Sequence, residues 1–85
     1  MKYFILRLQI RDGEREYYSR STLTAESFED ADNQADERAK TFWGDGFKED
    51  EKDRGYYQLF GETYVEVDGL DEVSKEDFDV LKKYI

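Results

Sequence analysis

Carboxylates dominate the reactive inventory of this chain. Asp and Glu number 22 of its 85 residues, against 13 Lys and Arg, and it has neither histidine nor cysteine. Losing imidazole removes the commonest metal ligand and the side chain best suited to proton transfer near neutrality. Losing thiols removes disulfides and thiolate metal sites. The remaining chemistry is that of oxygen ligands, paired carboxylic acids, and charge presented as surface.

The densest stretch is FWGDGFKEDEKDRGYY, residues 42–57. A calcium loop needs acids or amides at its first, third and fifth positions, glycine at the sixth and glutamate at the twelfth. Counted from Asp45, the stretch offers Asp and Glu at the first and fifth, but Phe at the third, Asp at the sixth and Tyr at the twelfth. A phosphate loop fails as well, because Gly44 and Gly46 have no downstream Gly-Lys-Ser/Thr. Paired carboxylates could hydrolyse glycosides, but no acid–base pair converges by spacing. Ser19, Ser21, Ser27 and Ser74 are accounted for by strand and cap positions. We therefore expect no metal, no cofactor and no catalytic residue, and a protein that is not an enzyme. The stretch itself reads as a mobile, solvated connector over 44–55.

Two surfaces remain as candidates for binding. The first carries Tyr3, Ile5, Arg7, Tyr18, Arg20 and Tyr64, with Tyr57 and Leu59 beside them. Tyrosine and arginine are the residues most enriched in binding hot spots, although Tyr and Thr also suit exposed strand positions for purely structural reasons. The second is acidic: Glu29, Asp32 and Asp36 stand one helical turn apart. Continued by Asp45, Glu49 and Asp50, they could imitate a track of phosphates. The plain alternative is a solvated charged face.

These residues need elements to hold them. Residues 2–11 alternate, with Phe4, Leu6, Leu8 and Ile10 on one face and Tyr3, Ile5 and Arg7 on the other. Asp12-Gly13 signals a two-residue hairpin loop. It predicts Arg11 opposite Glu14 and Arg7 opposite Tyr18, with 14–24 as the returning strand. Ser27 and Asp30 have capping-box spacing. They open a helix over 27–43 whose stripe is Phe28, Ala31, Ala35, Ala39 and Phe42, with Gly44 as its C-cap. YYQLF-GE-TYVEV reads as a second hairpin turning at Gly61-Glu62, or as one bent strand. Asp68-Gly69 reads as a turn. Ser74 and Asp77 repeat the capping box, and Val73 and Phe78 take hydrophobic-staple positions. The last helix should bury Phe78, Leu81 and Ile85.

The expected fold is therefore a single α+β domain over 1–85: an antiparallel sheet of three or four strands, β-β-α-β-β-α or β-β-α-β-α. Both helices are expected on one face with the other face open.

Composition bounds the function. Net charge is −9, spread as +2 over residues 1–23, −7 over 24–53 and −4 over 54–85. That balance disfavours direct nucleic-acid binding. No apolar run approaches the ~18 residues of a membrane span, and MKYFILRLQI reads as a strand rather than a leader. The expectation is a small acidic, cytoplasmic protein-interaction module without catalysis. It would use the Tyr/Arg face for a protein partner or for self-association as a homodimer, with no membrane contact. The alternative is an acidic nucleic-acid mimic of the phage or mobile-element kind, an inhibitor acting through helix 27–43 and loop 44–55.

Overall fold

In the computed structural model, residues 1–42, 47–49, 55–58 and 63–84 are described, with backbone alone at 47–49 and Gln58. Strands β1 (Lys2–Asp12) and β2 (Arg15–Ala25) form the predicted hairpin, but two residues out of the predicted register. Asp12 pairs with Arg15, Arg7 with Arg20 and Phe4 with Leu23, so the loop is Gly13-Glu14. Gly13 has φ +63. Mirror-image hairpin turns require positive φ at their first central position, and glycine supplies it without a Cβ clash. Placing the glycine first shifts the loop by one residue and the cross-strand pairing by two. Because side chains alternate with period two, both face assignments survive the shift. Phe4, Leu6, Leu8, Ile10 and Leu23 are all buried, and Tyr17 packs beside them.

Strand β5 (Thr63–Val73) pairs antiparallel with β1 on its other side. It runs straight through Asp68-Gly69, which is not the turn predicted. Leu8 pairs with Val67 and Arg7 with Gly69, so Asp68 is an extra residue on β5. This β-bulge explains how both halves of TYVEVDGLDEV serve one core. Val67 and Leu70 are three apart and would face opposite sides of a regular strand. The inserted residue brings both onto the Phe4 face, where they pack against the core.

Strand β4 (Gly55–Gln58) pairs with β5, with Tyr56 opposite Val65 and Tyr57 opposite Tyr64. The two strands pair antiparallel as the hairpin reading expects, again two residues from the predicted register, and residues 59–62 between them lie outside the described residues. Strand β3 (Phe47–Glu49) then pairs with β4. Part of the expected connector is thus an edge strand. Among the described residues the sheet has five strands in the order β2-β1-β5-β4-β3, and it does not close.

Helix α1 (Phe28–Lys40) starts where predicted: the Ser27 hydroxyl accepts from the Asp30 N–H at 3.1 Å, and Asp30 Oδ2 accepts from the Glu26 N–H at 3.3 Å. Ala31, Ala35 and Ala39 are fully buried. Their small side chains let the helix lie close on the Phe4 face, and Phe28 meets Phe4 edge-on with 6.1 Å between ring centroids. The helix is shorter than predicted. Thr41 is its C-cap, its hydroxyl donating to the Glu37 carbonyl at 2.9 Å, so Phe42 falls beyond the buried stripe and is exposed. Gly44, the predicted cap, lies outside the described residues.

Helix α2 (Lys75–Lys82) begins at the predicted Ser74 cap, whose Oγ accepts from the Asp77 N–H at 3.1 Å. It does not join α1. Phe78 is buried against Tyr3, with ring centroids 5.0 Å apart, and Tyr3 alternates with Phe4 to the opposite face. Val73, paired with Tyr3, faces the same way. The staple Val73–Phe78 therefore swings α2 onto the end of the face expected to be open. The bulge sets this direction, because the same residues in unbroken alternation would have turned Val73 toward the α1 side. Leu81 is exposed, against expectation, along with Val80 and Tyr84. Ile85 lies outside the described residues.

Candidate functional site

The Tyr3 face divides into three zones. At one end Tyr3 is half-buried under Phe78, and Ile5 beside it is half-buried. At the other end Tyr64 is only 6% exposed. Its ring lies across Gly55, where a Cβ would come within 2.0 Å of the Tyr64 hydroxyl. Tyr57 packs on the ring at 4.7 Å between centroids, and the Arg11 guanidinium sits 5.2 Å from its centre. Tyr64 is thus a structural aromatic of this face rather than the exposed contact expected of it. Sequence reasoning missed the cause, which is Gly55: a strand glycine marks a place where another group must come close.

Between these ends lies an uncovered strip of Arg7, Tyr18 and Arg20. Tyr18 is 56% exposed, the largest exposure of any described aromatic on the sheet. The Arg7 guanidinium stands 5.8 Å from its ring centre, within cation–π range. Arg7 lies directly opposite Arg20, an unfavourable pairing of like charge. It is relieved on one side only: Arg7 Nε donates to Asp68 Oδ2 at 2.5 Å. Asp68 owes that position to the bulge, and Gly69, opposite Arg7, leaves room for the guanidinium with Nη2 3.4 Å from where its Cβ would sit. Arg20 is exposed and has no acidic partner among the described residues. The bulge acid was not foreseen, although glycine inside a strand pattern was its available signal.

The acidic candidate is less coherent in place. Asp36 flanks the buried alanine stripe, accepts from the Tyr56 hydroxyl at 2.5 Å and pairs with Lys40 at 3.7 Å. Asp30 is spent at the helix start, and Asp32 stands on the same flank as Asp36, half-buried. Glu29 is fully on the outer surface with Glu37. Glu49 is on β3, with its side chain outside the description, and Asp45 and Asp50 lie outside the described residues. On the other flank, Gln34 donates to the Thr24 carbonyl at 3.0 Å and Arg38 to the Thr22 carbonyl at 2.9 Å and to Ser21 Oγ at 3.0 Å. The helix thus ties β2 to β4 with its polar side chains.

Among the described residues, no cluster of three or more acids could hold a metal ion, and no helix is long and apolar enough to cross a membrane. Comparison with protein-family models, curated proteins and solved structures finds no match for this chain.

Proposed function

We propose that the protein is a small, acidic, non-catalytic interaction module that works in the cytoplasm and binds a protein partner through Arg7, Tyr18 and Arg20. The observation that carries this reading is Tyr18. A large ring stands 56% exposed on the edge strand β2, flanked by a restrained arginine and by one left without an acid among the described residues. Tyrosine and arginine contribute most when a partner desolvates them. A fold that needed Tyr18 only for strand propensity would have no use for an unneutralised cation next to it. The wider set first considered narrows accordingly: Tyr3 and Tyr64 serve the fold, and Ile5 is half covered.

The acidic helix supports binding less well, because Asp36, in the centre of its acidic row, is already bonded to Tyr56 and Lys40 within the fold. An inhibitor built on phosphate mimicry would need that charge free.

The test combines solution size with capture by the immobilised protein, comparing wild type with Tyr18→Ala and Arg20→Ala. Both positions are exposed, so thermal melting should be nearly unchanged. The expected result is a bound species that both substitutions release and that Asp32→Lys does not. Capture that survives both substitutions but is lost on Asp32→Lys would move the function to the helix. A monomer that captures nothing would sink the reading.

A further inference from the structure

The strip of exposed residues borders a sheet edge, and that edge is only half covered. The hairpin geometry settles which backbone groups of β2 point outward. Asp12 and Arg15 close a two-residue loop and pair through hydrogen bonds, so alternate residues along β2 bond to β1 and the intervening ones turn away. The outward set is Glu16, Tyr18, Arg20, Thr22 and Thr24. Two of these are met: Arg38 and Gln34 hold the carbonyls of Thr22 and Thr24, which confirms the parity. No described residue meets the outward backbone of Glu16, Tyr18 or Arg20. An uncovered run of strand backbone is a template for pairing with another strand.

We propose that a second copy of this chain occupies that edge. β2 would pair antiparallel with β2 across a two-fold axis at Tyr18, joining the two sheets into one. The free stretch carries its own complement. With Tyr18 on the axis, Glu16 of each copy, whose Oε1 accepts from Gln9 Nε2 within its own chain, falls with its carboxylate opposite Arg20 of the other, on the same face as the tyrosine rings. This supplies Arg20 with the acid it lacks among the described residues and places opposite charges in direct cross-strand pairs. A two-fold interface requires such self-complementarity of one patch. The limits of the stretch fit the same axis. Pairing centred on Arg20 would set the two Arg20 side chains against each other. Pairing centred on Glu16 would set like charges face to face. With the axis at Tyr18, Glu14 of the second copy lies opposite Thr22, close to Arg38. The inference rests on the reading of Tyr18 and Arg20 as contact residues, and adds that the partner is this same chain.

The edge contact is small, so a weak dimer is expected, read by sedimentation velocity over the micromolar to millimolar range. Glu16→Arg or Arg20→Glu alone should each weaken association about tenfold, since each sets like charges opposite at both symmetric pairs. The double swap should restore it. Register is read independently by single-cysteine variants, because the chain has no cysteine of its own. Tyr18→Cys should cross-link to its mate under mild oxidation, the Cα separation across a hydrogen-bonded pair being about 5.5 Å, within disulfide range. Glu14→Cys would lie more than about 20 Å from its mate and should not. A dimer that cross-links through Tyr84→Cys on α2 and not through Tyr18→Cys would overturn the proposal. So would a monomer at every concentration. In that second case, loss of a different captured protein on Arg20→Ala would show that the surface binds and only the partner was wrongly assigned.

Discussion

Gly55 and Tyr64 show how much one missing side chain can decide. The Tyr64 ring occupies the space a Cβ at residue 55 would need, with its hydroxyl, Cζ and Cε2 all closer than 3 Å to that point. Because the ring body and not only its tip is involved, Gly55→Ala must displace it from under Arg11 and Tyr57. We expect a loss of about 1–3 kcal/mol, the usual cost of overpacking, visible as a lower urea midpoint. Tyr57 and Tyr64 fluorescence should change with it. A second residue-scale case is Tyr56, 2% exposed, whose hydroxyl donates to Asp36. Tyr56→Phe should cost about 1–2 kcal/mol, since it strips a carboxylate of one hydrogen bond while keeping the packing. The alternation of Tyr56 and Tyr57 between faces was legible in the sequence. The hydroxyl's partner was not, because residues 36 and 56 meet only once α1 has crossed the sheet.

At the scale of elements, local signals located starts better than ends. Both serine caps function as the spacing implied, and Ser27→Ala and Ser74→Ala should each cost about 1 kcal/mol in chemical denaturation. Helix α1 stops at Thr41 rather than running to Trp43, because a C-terminus depends on what the next residues pack against. Strand β5 carried the largest misreading: Asp68-Gly69 has turn composition yet sits inside a strand as a bulge. That assignment gives a sharp contrast between two deletions. Removing Asp68 would leave Val67 and Leu70 both facing the core, so a cooperative melt should persist. Removing Val65 would turn Glu66 inward, and the melt should be lost or severely lowered. Docking of α2 rests on Phe78, the buried residue of that helix. Phe78→Ala should cost about 3 kcal/mol and make the C-terminal helix the first site of proteolysis.

For the whole molecule, the three long strands set the shape. Each has 11 residues, and the molecule extends 40 × 25 × 20 Å. Its radius of gyration, 13.3 Å, exceeds the roughly 12 Å expected of a compact chain this long. A net charge of −9 on such a body repels itself. Raising ionic strength from about 0.01 M to 0.15 M shortens the screening length from ~30 Å to ~8 Å. The melting temperature should therefore rise with salt, by a few degrees. In the proposed edge dimer salt acts in two directions, weakening the Glu16–Arg20 pairs and screening the repulsion between two copies of net charge −9. Sedimentation and melting followed along one salt series would separate the two effects.

By itself the sequence determined the alternation of β1 and β2, the alanine stripe of α1, both helix starts and the α+β class. Each is written within a dozen residues as a period or a cap, and the period of two kept the faces correct even when the pairing moved by two. Only the tertiary structure decided the helix placement, the fate of Tyr64 and the condition of Arg20. The break in alternation at Asp68 turns Val73 toward Tyr3 and sends α2 to the opposite face from α1. Gly55 lets Tyr64 fold flat, and Asp68 neutralises Arg7 while leaving Arg20 without an acid among the described residues. All three depend on which residue stands across from which, and that is set by loop closure and strand pairing between distant segments, which no local pattern records.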